Sequence, residues 1–235
     1  MNESTPLIRL IGLHKIYGRG GASYHALKGI DLSIHEGEFV AVMGPSGSGK
    51  STVMNIIGCL DTPSDGQYLF RGMPVETMSR DQRALLRRHF IGFVFQGFNL
   101  LPRTTALENV ELPLIYRGHP AAERRAAARA ALRRVGLDNW EHHTPAELSG
   151  GQQQRVAIAR AIVTGPKVLL ADEPTGNLDT RTSAEIMDLI TALNREHGIT
   201  VLMVTHEPEM ARYARRIVRF VDGRVESDRY AEPAS

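Results

Sequence analysis

The stretch Gly44-Pro45-Ser46-Gly47-Ser48-Gly49-Lys50-Ser51 decides how this chain is read. It has the spacing G-x-x-x-x-G-K-[ST], in which glycines let successive backbone N–H groups turn inward around an anion. The apolar run Phe39 to Met43 precedes it, typical of a strand buried on both faces, and a helical segment from Thr52 to Leu60 follows. Strand, glycine loop and helix in that order aim the positive end of the helix dipole at the same anion. Ser46, Gly47, Ser48, Gly49 and Thr52 fall where a phosphate cradle would form. Lys50 can reach β- and γ-phosphates, and the Ser51 hydroxyl can ligate Mg²⁺. On this loop alone the chain is a nucleoside-triphosphate binder, with GTPases and kinases still open.

A second motif, Val168-Leu169-Leu170-Ala171-Asp172-Glu173, is an apolar strand ending in two carboxylates. That is where a parallel-sheet protein holds a metal beside its phosphate loop, with Asp172 as ligand. Glu173, one residue on, is placed to take a proton from an attacking water. A third motif, Leu148-Ser149-Gly150-Gly151-Gln152-Gln153-Gln154-Arg155, opens an amphipathic helix. It is a second anion-ready helix start, and one triphosphate needs only one. The physical reading is that Ser149, Gly150, Gly151 and Gln152 serve a nucleotide held by another copy of the chain.

Short apolar runs alternating with amphipathic helices predict an α/β fold around a mostly parallel sheet. Leu7–Tyr17, Ala26–His35 and Gln67–Arg71 read as a small antiparallel β layer. Ser79-x-x-Gln82 is a capping box opening a helix to about His89, and Ile91–Phe95 is the next strand. From Asn99 to Ser149 no strand-like run occurs. Thr105-x-x-Glu108 is a further capping box, Pro120 suits a first helical turn, and Ala121–Val135 closes at Gly136. The expected organisation is one domain: a core of residues 1–96 and 150–225, an all-helical insertion over 97–149, and a frayed polar tail over 226–235. Further strands are expected at Val168–Ala171, Val201–Val204 and Ile217–Val221.

Composition narrows the class. A chain of 235 residues with 42% hydrophobic and 23% charged residues can bury a sizeable core. The single Cys59 excludes an intrachain disulfide framework. No basic-plus-apolar leader occurs at Met1–Pro6, and no window approaches the roughly 18 apolar residues of a membrane span. A net charge of +2 gives no electrostatic case for nucleic acid as the main partner. A reducing, cytoplasmic enzyme is the default. All but four of the 28 basic residues are arginine, and Arg117, Arg124, Arg125, Arg129, Arg133 and Arg134 crowd the helical insertion. They read first as a solvated helix face, and alternatively as attraction to acidic headgroups or a partner loop.

With these motifs in this order from Ile8 to Val225, the chain resembles the nucleotide-binding subunit of an ABC transporter. The resemblance implies a P-loop core binding ATP and Mg²⁺, and two copies closing head to tail over two nucleotides. It implies that Tyr17 stacks on adenine, and that Gln96 contacts Mg²⁺ and the attacking water and relays occupancy to the helical insertion. Ser149, Gly151 and Gln152 would complete the opposite site. Gly176-Asn177-Leu178-Asp179 would cross between subunits with Asp179 as its carboxylate, and His206 would hold the γ-phosphate. Read without the resemblance, Tyr17 is an edge-strand aromatic, Gln96 a strand-end cap and His206 a structural histidine.

A narrower resemblance lies in Asn55–Asp61, Phe95–Pro102 and Ala106–Pro113, which are similar to the branch holding macrolide exporters, lipoprotein-release ATPases and a cell-division ATPase. Cys59 matches the macrolide-exporter type. This implies a permease with few spans and a large periplasmic domain, with a periplasmic adaptor as a further partner, and a position on the cytoplasmic face of a bacterial inner membrane. Macrolide exporters usually fuse ATPase and permease; with the sequence ending at Ser235, the permease is expected as a separate chain. Two other classes compete. Repair ATPases of the family carry long coiled coils and ribosomal ones two cassettes, neither of which is visible here, and a phosphotransferase would not need Glu173 or a second anion site.

Overall fold

The computed structural model describes residues 5–18 and 22–231. In chain order the elements are β1 (Ile8–Tyr17), β2 (Tyr24–Ile34), β3 (Phe39–Met43), α1 (Lys50–Ile57), β4 (Asp65–Phe70), β5 (Met73–Pro74), α2 (Arg80–Phe90) and β6 (Ile91–Phe95). They continue with α3 (Ala106–Tyr116), α4 (Ala121–Arg134), α5 (Gly150–Ile162), β7 (Val168–Asp172), α6 (Thr180–His197), β8 (Thr200–Val204), α7 (Pro208–Ala211), β9 (Arg216–Val221) and β10 (Arg224–Tyr230). No helix among the described residues is long and apolar enough to cross a membrane. The fold class is α/β, with an antiparallel layer, a parallel-rich sheet and a helical segment.

The chain forms two compact units. One comprises residues up to Arg87 with those from Thr200 onward; the other is Arg88–Ile199. In the first, β1 pairs antiparallel with β2 and β4, and β4 with β5, which is the small layer expected from sequence. The short β3 lies parallel between β8 and β9. Phe39, Val40, Ala41 and Val42 are all buried, because a strand flanked on both edges and covered on both faces has no solvent side to mark with polar residues.

In the second unit β6 and β7 pair in parallel. A Cβ at Gly92 would lie 2.4 Å from Ala161 O, so glycine there lets α5 settle directly on β6. Helices α3 and α4 also pack against α5. The helical stretch 97–149 is therefore one compact body with the strand and helix that flank it. The expected division into a 1–96/150–225 core and a separate insertion differs from this grouping for that reason. Thr105 caps α3 through the expected reciprocal box with Glu108, and Gly136 follows α4 with φ +74. Buried Asn109 donates to the carbonyls of Leu101, Thr104 and Thr105 and accepts from Leu101 N–H, shaping the loop before α3.

Three of the six arginines expected on a solvated face also tie to groups of their own unit. Arg117 donates to the carbonyls of Arg88, His89 and Thr164. Arg124 lies 3.3 Å from the buried Glu111, and Arg129 lies 2.7 Å from Glu141.

The end of the chain departs from expectation. Instead of fraying from residue 226, Arg224–Tyr230 pairs antiparallel with β9. The turn is Asp222-Gly223, with φ +49 and +79, the left-handed pair that a two-residue hairpin requires. Residues 232–235 of that expected tail lie outside the described residues. Alternation failed as a signal because β10 is mostly charged, and its charges are used. Arg216 donates to both Asp228 carboxylate oxygens, at 2.7 and 2.6 Å, to Glu38 at 3.0 Å and to Ser33 O at 2.8 Å. Its hydrogen bonds to Asp228 outweigh burial and hold the guanidinium well above the usual arginine range.

Arg216→Met should therefore lower unfolding free energy by roughly 2–4 kcal/mol in urea titration, since it strands the partly buried carboxylates of Glu38, just before β3, and Asp228 of β10. Cys59 is 3% exposed, and burial pushes its thiol up to about 11. Below that pH the folded protein holds little thiolate, so alkylation at pH 8 should be at least about tenfold slower in the native protein than in urea.

Candidate nucleotide site

In the first unit, three glycines of the loop after β3 adopt left-handed backbone: Gly44 (φ +148), Gly47 (+76) and Gly49 (+102). A Cβ at Gly44 would lie 2.1 Å from Phe220 O, and one at Gly49 would lie 2.8 Å from both Ala26 O and Leu27 Cδ2. Only glycine fits either place. Gly49 opens α1 with no side-chain cap, and no acid stands in the first turn. The helix N–H groups are thus left to an anion, and a triphosphate fits. Ser48 Oγ is buried without a hydrogen-bond partner beside Gly44, a further polar atom in the cradle. Ser46 and Ser51 are exposed, and Thr52 is half-buried. Lys50 Nζ donates to Gly44 O and Pro45 O, both at 2.8 Å, curling over its own loop.

Tyr17 is 39% exposed at the end of β1. Its hydroxyl donates to Asp61 at 2.8 Å, and Lys15 sits 4.8 Å from the ring centroid while donating to the same carboxylate at 2.6 Å. The ring is held by its edge with aromatic surface left exposed. Asp61 and Lys15, which hold it, were not singled out from sequence, because their pairing joins residues 46 apart. His206 lies just past β8 and lines one cavity of about 680 Å³ with Gly44 and Pro45 of the loop and Arg219 and Arg229 of the final hairpin.

The second unit carries the remaining candidates. Phe95 is opposite Asp172 in the β6–β7 pairing, so Gln96 and Glu173 leave the ends of adjacent strands. Glu173 has φ +46, a strained conformation for a non-glycine residue and of the kind that collects at functional sites. Gln96 Nε2 donates to Asn177 Oδ1 at 3.3 Å, while Asn177 Nδ2 donates to Gln96 O at 3.0 Å. A Cβ at Gly176 would lie 2.6 Å from Gln96 Nε2, so that glycine makes room for the Gln96 side chain.

Ser149 caps α5 by a reciprocal box: its hydroxyl accepts from Gln152 N–H, and the Gln152 side chain accepts from Ser149 N–H. Part of the expected second nest is thus occupied by its own cap. The Ser149 O–H can still donate, and the N–H groups of Gly150 and Gly151 head a first turn free of acids. A Cβ at Gly150 would lie 3.2 Å from Leu178 Cδ2, and one at Gly151 would lie 2.5 Å from Thr182 Cγ2. The glycine pair lets α5 approach the 176–179 loop and the start of α6. Asp179 caps α6, accepting from Thr182 N–H at 3.0 Å and its hydroxyl at 2.6 Å, and these bonds hold its carboxyl below the usual range. Its carboxylate is therefore engaged within its own chain. Among the described residues, no three His, Cys, Asp or Glu side chains gather into a metal cluster. Ser51 in the first unit and, in the second, Gln96 and Asp172 each carry oxygens of the hard kind that Mg²⁺ takes.

Comparison with known proteins bears on this arrangement. The protein-family model described as ABC transporter matches residues 27–176. The chain is 54% identical over 230 residues to the macrolide export ATP-binding/permease protein MacB of Marinobacter nauticus, covering 98% of this chain and 36% of that protein. It is also 54% identical over 225 residues to the pyoverdine export ATP-binding/permease protein PvdT of Pseudomonas syringae pv. syringae, covering 95% of this chain and 34% of that one. The chain thus spans about a third of the length of the curated relatives it matches. Among solved structures, it superposes with TM-score 0.88 and 47% identity on the dimeric post-hydrolysis state of the ATP-binding cassette MJ0796 bound to ADP and Pi, covering 97% of this chain and all of that one. A glycine loop that only glycine can form, a carboxylate pair at a strand end, a capped Ser-Gly-Gly helix start and these likenesses agree: the chain belongs to the ABC transporter family, as its ATP-hydrolysing cassette.

Proposed function

We propose that two copies of this chain close head to tail over two Mg·ATP and hydrolyse them to drive an export permease of the macrolide-exporter type. The observation that carries this reading is the pair of acid-free helix starts, α1 and α5, on two different compact units of one chain. One triphosphate occupies the first, and the second is left for a nucleotide bound by another copy. The resemblance to a dimeric cassette bound to ADP and Pi supports the same geometry.

In the closed dimer Lys50 and the N–H groups after Gly49 would hold the β- and γ-phosphates, and Tyr17 would stack on the base. Ser149, through its O–H, and Gly150 and Gly151, through their N–H groups, would face the γ-phosphate of the partner's nucleotide. Glu173 would take a proton from the water attacking in line, while Gln96 orients that water and His206 holds the γ-phosphate. Ser51, Gln96 and Asp172 would hold Mg²⁺, which supplies neutralisation of the phosphoryl oxygens as charge develops. Asp179, engaged with Thr182, would act through the shape of the 176–179 loop.

The export branch is favoured over lipoprotein release or cell division, because the relatives at 54% identity are named macrolide and pyoverdine exporters. The permease would carry few membrane spans and a large periplasmic domain, work with a periplasmic adaptor, and hold the cassette at the cytoplasmic face of the inner membrane.

Glu173→Gln should form a dimer on adding Mg·ATP while turnover falls at least about a hundredfold. Size-exclusion chromatography with and without ATP reads the first, phosphate release the second; a variant that stays monomeric with ATP would overturn the dimer reading. Gly49→Ala should weaken binding of a fluorescent ATP analogue at least about tenfold, because its Cβ has no room beside Ala26 O. Unchanged affinity in that variant would contradict the role given to the loop.

A further inference from the structure

The β6–β7 pairing runs as far as Phe95 opposite Asp172, and Gln96 and Glu173 begin where it stops. At that fork lies Gln154, on α5 and fully buried. Its Nε2 donates to Phe95 O at 3.4 Å and, more closely, to Pro174 O. Two carbonyl partners settle which end of the amide is nitrogen, since Oε1 in that place would face two acceptors. Oε1 itself is buried without a hydrogen-bond partner. A half-satisfied amide is a costly way to fill space on a helix whose other buried positions, Val156, Ala157, Ile158, Ala159, Ala161 and Ile162, are all apolar. Leucine or methionine would fill it without an orphaned oxygen. What glutamine provides, and they cannot, is a donor reaching both strand ends past the last backbone rung.

The consequence lies in what those carbonyls adjoin. Phe95 O precedes Gln96. Pro174 O follows Glu173, whose left-handed backbone must be held by its neighbours, and Glu173 O also accepts from Gly176 N–H at 3.1 Å. Gln154 stands on the same helix as the Ser149 cap, only two residues beyond Gln152. Further along that helix, Arg160 donates to the carbonyls of Phe98 and Asn99, two left-handed residues in the loop that Gln96 opens.

We infer that Gln154 is a positioning residue for hydrolysis: by holding the carbonyls beside Gln96 and Glu173 it sets the spacing of the water-orienting amide and the proton-accepting carboxylate, and ties both to the attitude of α5. This rests on the roles proposed above for Gln96 and Glu173. The nucleotide-holding groups Lys50, Ser51 and Tyr17 belong to the other compact unit, so loss of the tie should affect turnover and spare ATP binding.

The test is steady-state ATP hydrolysis by the full chain, with melting temperature measured for every variant. Gln154→Met keeps the volume and removes the donor. It should lower kcat by about tenfold to a hundredfold while KM for ATP stays within about threefold. Gln154→Lys restores a donor for both carbonyls without Oε1 and should recover kcat to within about threefold of wild type. A folded Gln154→Met with kcat within about twofold of wild type overturns the inference, as does a KM that rises in step with the fall in kcat. Should Gln154→Met not fold at the assay temperature, Gln154→Lys decides alone: near-wild-type kcat supports the tie, and a folded protein below about a tenth of wild type overturns it. Wild-type turnover separates the two levels, because its absence counts against the ATPase roles themselves and the variant-to-wild-type ratio reads the tie.

Discussion

Two backbone approaches closer than any side chain allows set the shape of the phosphate loop. At Gly44 the chain runs against Phe220 O of β9, and at Gly49 against Ala26 O of β2. Gly223, in the turn after β9, closes the set: its own Cβ would meet Ala26 O at 2.6 Å, its N–H donates to Ser48 O, and its carbonyl accepts from Lys28 N–H. Loop, β2 and the final hairpin are thus interlocked through main-chain atoms, which cannot move aside as side chains do. The loop keeps its concave form because three other segments leave it no other path.

The second unit depends on a comparable restriction along α5. Gly92 brings that helix against β6, Gly151 brings it against Thr182 of α6, and Arg155 donates to Val135 O at the end of α4. The strand ends that carry Gln96 and Glu173, the loop carrying Asn177 and Asp179, and the cap at Ser149 all refer to one rod. On the head-to-tail arrangement proposed above, that would be a direct physical route from the Ser149 helix start to Gln96 and Glu173. Three arginines of the helical segment serve this rigidity too: Arg117, Arg124 and Arg129 bind carbonyls and carboxylates of their own unit.

The glycine loop, the Asp172-Glu173 strand end and the capping boxes at Ser79 and Thr105 were legible because each depends on residues within a few positions of one another. Buried strands β3, β6, β7 and β8 were legible as well, because a strand covered on both faces is apolar throughout. β10 was not, since its partners Arg216 and Glu38 supply from afar what its own sequence lacks. Asp222-Gly223 was the signal that could have found it: a tight-turn dipeptide immediately after an apolar strand. Gln154 could have been suspected as a polar residue four positions before the buried Ile158 on one helix face, but nothing local says which carbonyls it meets.

The sequence by itself determined the chemistry: which backbone can cradle phosphate, which carboxylates stand at a strand end, and which helix starts are ready for an anion. Backbone propensity and the functional groups that side chains carry are properties of a residue and its near neighbours, so they can be read in line. The tertiary structure alone decided how those groups are held, with Lys50 turned onto its own loop, Asp179 engaged in a cap, the helical segment joined to its flanks and Gln154 placed at the β6–β7 fork. The Lys50 and Asp179 contacts span six residues or fewer, whereas the last two turn on atoms far apart in the chain, whose meeting follows from packing, which no stretch of sequence states.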